Sequence, residues 1–292
     1  MMRKIIILIT VMFAFTNLYP QRGRVLESLV MQSKILGDEV KFSVYLPPDY
    51  ETSERHYPVV YLLHGYTDNE TGWIQYGEAN RIADEGIATG TIPPMIIIMP
   101  DAKITWYMND YKDEYRYEDM FFEEFIPFID ENYRTRPEKQ FRGVSGLSMG
   151  GHGSLIYSFK HPDMFAACAA FSAGVLTNEQ FREIPGEEYD DLFETIFETG
   201  VEGEQRLTEH YKQNSPLNLI ESLPVESLKQ VRYYIDCGDD DWLNEGNATL
   251  HILLKQKEIP HEYRVRDGDH QWEYWRTGLP EGLKFIGKSF HR

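Results

Sequence analysis

Two kinds of apolar pattern alternate along the chain. Short apolar runs occur at "VKFSVYLPPDY" (40–50), "YPVVYLLHG" (57–65), "PMIIIMPDA" (94–102), "MFAACAAFSAG" (164–174) and "VRYYIDCG" (231–238). All but the first are continuous rather than alternating, which is typical of central strands in a parallel sheet, buried on both faces. Between the runs, as in 117–135, apolar residues recur at spacings of three and four and predict helices. The pattern predicts an α/β fold with a doubly wound, mostly parallel sheet, in which ligands bind beyond the carboxyl ends of the strands.

One long segment, 175–228, interrupts this alternation. It contains no convincing strand, and much of it, such as "EEYDDLFETIFETGVEGEQRLTEHYKQ", is acidic and helix-like. Two interpretations stay open. The segment is either a helical insertion that caps the carboxyl edge of the sheet or a solvated helical excursion without a role.

The first residues, 1–21, have the pattern of a signal peptide. Arg3 and Lys4 precede an apolar run that is too short for a membrane span, which needs roughly 20 residues, and that fits the core of a secretory signal. The alternative is an uncleaved N-terminal anchor. We expect a secreted or periplasmic protein that leaves the membrane after cleavage, with residues 22–292 forming a single domain.

Charge and cysteine content narrow the function further. The formal net charge is −18, and loss of the basic N-terminus would make it −20. Such a surface repels nucleic acid and anionic membranes, so we expect neither as a partner and expect a neutral or weakly charged substrate. An exported protein could pair Cys168 with Cys237, but both lie in apolar strand-like runs, and the sequence favours two separate buried thiols.

The stretch "RGVSGLSMGGHGSL" (142–155) contains the first candidate for chemistry. Ser148 stands in the pattern G-x-S-x-G, between Gly146 and Gly150, where a predicted strand passes into a predicted helix. A nucleophile on such a sharp turn exposes its hydroxyl, and glycine two residues to either side avoids a clash. The amide of Met149, at the start of the helix, would face the reacting centre and favour an oxyanion.

Chain order selects the base that Ser148 would need. On this kind of fold, the acid and then the histidine follow the serine. Of nine histidines, His270 lies just beyond the last predicted strand, "HEYRVR" (261–266), at the appropriate sheet edge. The acid should follow the preceding strand. "YYIDCGDDDWLN" offers Asp239, Asp240 and Asp241 there, and spacing alone does not choose among the three.

A second oxyanion donor should come from the loop after an earlier strand. "LLHGYTDNETGW" supplies that loop, and Gly65 permits close approach of the backbone. The amide of Tyr66 is our first choice and that of Thr67 the second. We interpret His64 as a structural loop residue rather than a base.

These blocks together resemble a known family. "VYLPPDY", "YPVVYLLHGYTDNETGW", "PMIIIMPDA", "WYMND", "GLSMGGHGSL", "IDCGDDDWL" and "GDHQWEYW" are similar, in order, to the esterase D-like α/β-hydrolases, and within them to the feruloyl and acetyl-xylan esterases of carbohydrate esterase family one. The resemblance covers nearly all of residues 22–292 and implies the α/β-hydrolase fold. It places the acid on Asp241, three residues after Gly238, while three consecutive aspartates keep Asp240 as the alternative.

The resemblance also implies a reaction. His270 would deprotonate Ser148, Asp241 would orient His270, and the amides of Met149 and Tyr66 would hold the oxyanion of a two-step acyl transfer. No cofactor is expected, and the sequence has no metal-ligand cluster with convincing spacing.

Aromatic residues in the strand-end loops suggest the substrate. We expect Trp106, Tyr107, Trp242 and Trp272 to contact a sugar or phenolic ring by stacking and apolar burial. The hypothesis is a secreted feruloyl esterase that releases hydroxycinnamates from plant cell-wall xylan. The alternatives are an acetyl-xylan esterase, an S-formylglutathione hydrolase-like thioesterase, a siderophore-ester hydrolase and a non-catalytic carbohydrate-binding protein.

Overall fold

The structure is a computed structural model that describes residues 22–290, so the expected signal peptide lies outside the described residues. Its strands are β1 Arg24–Gln32, β2 Glu39–Leu46, β3 Val59–Leu63, β4 Ile96–Pro100, β5 Arg142–Leu147, β6 Ala167–Phe171, β7 Arg232–Gly238 and β8 His261–Arg266. Its α-helices are α1 Gly72–Gln75, α2 Ala79–Ala88, α3 Tyr117–Met120, α4 Ile126–Asn132, α5 Met149–Lys160, α6 Asn178–Glu183, α7 Gly186–Phe193, α8 Glu209–Asn214, α9 Pro216–Ser222, α10 Val225–Leu228, α11 Asn244–Gln256 and α12 Trp272–Gly287. Within this described range, every helix is too short or too polar to cross a membrane.

The eight strands form one sheet in the order β1-β2-β4-β3-β5-β6-β7-β8. Strands β3 to β8 run parallel, whereas β1 and β2 pair antiparallel at one edge. The predicted α/β fold with a mostly parallel sheet is confirmed. Because the sheet is parallel, the loops after β3, β5, β6, β7 and β8 meet at one edge.

The sheet is covered on both faces. Along β3, Val59, Tyr61 and Leu63 pack into one apolar core, which includes α5 and α11. Val60 and Leu62 point into the other core, beneath α2 and α12. This double burial explains why the run 57–65 is continuously apolar. Cys168 on β6 and Cys237 on β7 are buried free thiols.

Sequence patterning misses strand β1. Ser28 adopts a positive φ of 52°, and the pairing with β2 shifts register between Leu26 and Leu29. Such a bulge puts an extra residue into the strand and breaks the two-residue alternation that pattern analysis relies on. β1 is also an edge strand with only one neighbour, so it needs less apolar sequence than the central strands.

The helix predicted over 117–135 is interrupted. It comprises α3, a π-helical turn at Phe121–Phe125, and α4, and it ends at Asn132. Pro127 lies in the first turn of α4. Proline has no N–H and clashes with the carbonyl four residues earlier, so a wider turn accommodates it.

The segment 175–228 folds into helices α6 to α10, between β6 and β7. An aromatic cluster fills its interior, and the ring centroids of Phe181 and Tyr211 lie 4.0 Å apart. Phe193 joins this cluster and also packs on Trp106, with centroids 5.1 Å apart. The insertion is therefore anchored to the body of the protein and is not a solvated excursion.

Candidate active site

Ser148 occupies a strained turn between β5 and α5. Its backbone lies at φ 53° and ψ −117°, outside the regions that non-glycine residues favour. A β carbon on Gly146 would lie 2.4 Å from the carbonyl oxygen of Gly150, and one on Gly150 would lie 2.4 Å from that of Leu63. The two glycines of G-x-S-x-G are thus required by backbone contacts on both sides of the serine.

His270 connects Ser148 to a buried carboxylate. Its Nε2 lies 3.0 Å from the Ser148 hydroxyl, and its Nδ1 lies 2.9 Å from Oδ2 of Asp241. The Asp241 side chain is fully buried, whereas 18% of the His270 side chain is exposed. The ring of Trp275 packs edge-on against the imidazole at a centroid distance of 4.9 Å. This arrangement can move a proton from the serine to the histidine while the carboxylate stabilises the resulting cation.

The three consecutive aspartates have different environments. Oδ1 of Asp239 accepts a hydrogen bond of 3.0 Å from the amide of Gly268, which closes the histidine loop. Asp240 is exposed, and Asp241 alone of the three contacts His270. Asp239, Asp240 and Asp267 could share a cation, since an oxygen from each lies within 4.8 Å of the others, but all three are exposed.

Opposing effects act on the carboxyl group of Asp241. Burial raises its pKa, but hydrogen bonds from His270 and Ser172 and the amide of Leu243 outweigh burial and hold the pKa below its usual value of 3.8. The carboxylate therefore remains ionised at neutral pH. Its stabilising contribution is present above the pKa of the unfolded chain and is lost as the pH falls through the folded-state pKa.

The two candidate oxyanion donors flank Ser148. Met149 begins α5, and the first amides of a helix have no carbonyl partner within it. Tyr66 lies in the turn from Gly65 to Asp68, which is closed by a 3.2 Å hydrogen bond between those two residues. A β carbon on Gly65 would lie only 3.6 Å from that of Ser148, so this turn runs beside the serine.

A cleft of about 250 Å³ opens at the Ser148 hydroxyl. Its lining is mostly apolar and comes from two sources. The strand-end loops contribute Tyr66, Trp106, Gly174, Trp242 and Leu243, and the insertion contributes Leu176, Gln180, Ile184, Glu188, Leu192 and Phe193. The insertion therefore forms one wall of the cleft.

The four aromatic residues expected to contact substrate lie in different places. Trp106 and Trp242 line the cleft, and 59% of Trp242 is exposed at its mouth. Trp272 is not among the cleft-lining residues, and its ring packs against Trp73 at a centroid distance of 5.2 Å. The expectation for Tyr107 is wrong. Its side chain is fully buried, and its hydroxyl accepts a 2.7 Å hydrogen bond from the amide of His64.

Sequence patterning misses the insertion residues that line the cleft. Five of them recur every fourth residue, namely Leu176, Gln180, Ile184, Glu188 and Leu192. Residues four apart share one face of a helix, so this spacing is a signal for Glu188 and Leu192, which both lie in α7. Pro185 separates α6 from α7, so the five residues do not form one continuous helix face.

The sequence is similar to those of known ester and thioester hydrolases. The esterase family model matches residues 33–286. A curated endo-1,4-beta-xylanase/feruloyl esterase of Xylanibacter ruminicola is 32% identical over 169 residues, which cover 54% of this chain and 23% of that protein. The chain thus spans about a quarter of the length of that relative. The S-formylglutathione hydrolase of Mus musculus is 30% identical over 274 residues, 86% of this chain and 89% of that one.

A solved structure of a ferulic acid esterase is also similar. It shares 32% sequence identity with a TM-score of 0.79, over 92% of this chain and 99% of that one.

Proposed function

The chain belongs to the esterase family, and we propose that it is a secreted feruloyl esterase that releases hydroxycinnamate groups from plant cell-wall xylan. It is an esterase of the group that includes feruloyl esterases and S-formylglutathione hydrolases. The observation that carries the proposal is the hydrogen-bonded set of Ser148, His270 and Asp241, of which Ser148 lines an aromatic cleft. Export is inferred from the basic start and apolar run within residues 1–21.

The reaction proceeds in two steps. His270 Nε2 accepts the proton of Ser148 as the serine oxygen attacks the ester carbonyl carbon. The amides of Tyr66 and Met149 hold the resulting oxyanion. Collapse of this intermediate breaks the bond to the alcohol, which leaves with the proton from His270. Water then attacks the acyl-enzyme in the same way and releases the acid and free Ser148.

The cleft supports an aromatic acyl group. Its 250 Å³ greatly exceeds what an acetyl group needs, and its walls are mainly apolar. The ring of Trp242, of which 59% is exposed, lines the cleft together with the largely buried rings of Trp106 and Phe193. Such walls bind a planar phenolic ring by burial and by edge or face contacts.

Electrostatics favour a neutral ester over the main alternative, S-formylglutathione. That alternative has its own support, since the mouse hydrolase matches most of this chain. The glutathione portion carries carboxylates, however, and the charged residue that lines the cleft is Glu188, which would repel them. The net charge of −18 adds to this repulsion.

Hydrolysis of two esters and one thioester by the full chain tests the proposal. We expect methyl ferulate to be turned over with a higher kcat/KM than 4-nitrophenyl acetate, and S-formylglutathione to be a poor substrate. Release of ferulate from feruloylated arabinoxylan fragments should accompany this preference. Turnover of acetylated xylan with inert methyl ferulate would instead identify an acetyl-xylan esterase, and a preference for S-formylglutathione would identify the thioesterase.

A further inference from the structure

The hydroxyl of Tyr66 joins the oxyanion loop to the insertion. It donates a 2.7 Å hydrogen bond to the carbonyl oxygen of Asp191, in the last turn of α7. The indole N–H of Trp106 donates to the next carbonyl, that of Leu192, at 3.1 Å. The last carbonyls of a helix have no partner within it, so these two side chains satisfy them from outside.

Tyr66 is suited to this contact. Burial raises the pKa of its hydroxyl, and the nearby carboxylates of Glu194 and Asp191 raise it further, so the hydroxyl remains a hydrogen-bond donor. Its ring lies beside that of Trp106, with centroids 6.3 Å apart, and both line the cleft.

The peptide unit that carries the Tyr66 amide is fixed at its other end. The carbonyl oxygen of Gly65 lies 2.7 Å from Nδ1 of the buried His64. Nε2 of His64 accepts a hydrogen bond of 2.9 Å from the amide of Ala102, so Nδ1 carries the proton and donates to Gly65. Since a peptide unit is planar, a fixed carbonyl sets the plane in which the Tyr66 N–H lies. The hydroxyl contact with Asp191 then restrains the far end of the same residue.

We propose that the Tyr66 hydroxyl is a positioning group: its hydrogen bond to the carbonyl oxygen of Asp191 holds the Tyr66 amide where it can donate to the developing oxyanion. This inference rests on the proposed function, since it assigns that amide to the oxyanion hole. Leu192 and Phe193 of the same helix line the cleft. The helix that forms this wall of the cleft is therefore hydrogen-bonded to the residue whose amide would hold the oxyanion.

Tyr66→Phe tests the inference because it deletes one oxygen atom and leaves the ring and the backbone amide. The matched control is Thr195→Val. The Thr195 hydroxyl donates a 3.0 Å hydrogen bond to the carbonyl of Ile104, so this variant also removes one tether between the insertion and the body. Thr195 is exposed and does not line the cleft, and its tether leads to a loop without an oxyanion amide.

Two rates should be measured for each variant: kcat on 4-nitrophenyl acetate and inactivation by diethyl 4-nitrophenyl phosphate. The phosphoryl oxygen gains negative charge as serine attacks, so inactivation reports on the oxyanion hole without a natural substrate. For Tyr66→Phe we expect both rates to fall about tenfold, less than complete loss of an oxyanion donor costs, with KM changed less than about twofold. Thr195→Val should keep both rates, and thermal melting should show both variants folded.

Wild-type rates in a folded Tyr66→Phe variant, or a change confined to KM, would overturn the inference and leave the hydroxyl a packing contact. Equal losses in Tyr66→Phe and Thr195→Val would also overturn it, since any loosening of the insertion would then suffice. The proposed function fails separately. If methyl ferulate is inert with the wild-type protein, the phosphate inactivation rates still decide the role of the hydroxyl.

Discussion

Replacing Asp241 by asparagine should nearly abolish turnover, for a reason visible in its hydrogen bonds. The amide of Leu243 donates to Oδ1 at 2.9 Å, and His270 Nδ1 lies nearer to Oδ2, at 2.9 Å, than to Oδ1, at 3.1 Å. In Asp241→Asn, the hydrogen bond from the Leu243 amide would keep the side-chain oxygen in the place of Oδ1. The amide nitrogen would then face His270 and donate to Nδ1. Nε2 would carry the imidazole proton and could not accept one from Ser148.

The size of this effect follows from the tautomer. In a serine triad, forcing the histidine into the wrong tautomer lowers kcat about 10⁴-fold. At about 1.4 kcal/mol for each factor of ten, this corresponds to about 5.5 kcal/mol of activation free energy. KM should change little, because Asp241 is buried and does not line the cleft.

The assay is steady-state hydrolysis of 4-nitrophenyl acetate, with Asp240→Asn as the matched control. This variant makes the same chemical change one residue away, at an exposed carboxylate. We expect Asp240→Asn to keep kcat within about twofold, as surface substitutions usually do. A large loss in Asp240→Asn with activity retained in Asp241→Asn would refute the reasoning and reassign the acid.

Three further predictions follow from burial and packing. Burial lowers the pKa of His152 from 6.5 to about 4, so only the unfolded chain takes up a proton between these values; the unfolding free energy should fall by about 2 kcal/mol from pH 7 to pH 5. In urea titrations at pH 7 and pH 5, His152→Gln should abolish this loss of unfolding free energy. A variant that loses as much as the wild type would contradict the assignment of this proton to His152. Gly150→Ala should lower stability by about 2 kcal/mol or more and cut kcat severely, whereas Gly186→Ala, with no atom within 4 Å of its added carbon, should melt like the wild type. Leu192→Ala should reduce kcat/KM about fivefold more for methyl ferulate than for 4-nitrophenyl acetate, through about 1 kcal/mol of lost burial; equal losses on both would mean that this wall does not contact the acyl group.

The sequence predicts the fold and the order of the site because both depend on local signals. Continuous apolar runs reveal the central strands, and the glycines around Ser148 reveal the turn. His270 follows from its place after the last strand. Each of these inferences needs only a short stretch of chain and the direction of a parallel sheet.

The remaining features depend on contacts between distant residues. Spacing cannot separate Asp240 from Asp241, since only burial and the approach of the histidine loop distinguish them. Trp106 and Tyr107 are neighbours with similar chemistry, yet one lines the cleft and the other is enclosed in the core. Both have positive φ values, 52° and 64°, which sequence patterning does not reveal. The insertion wall is likewise set by packing of aromatic residues far apart in the chain.

The most direct test of the central claim is the site of covalent labelling by diethyl 4-nitrophenyl phosphate. Mass spectrometry of the inactivated protein should show one diethylphosphoryl group, located on the peptide that carries Ser148. Ser148→Ala should take up no label and hydrolyse neither methyl ferulate nor 4-nitrophenyl acetate. A label on another residue, or hydrolysis that persists in Ser148→Ala, would contradict the assignment of Ser148 as the nucleophile.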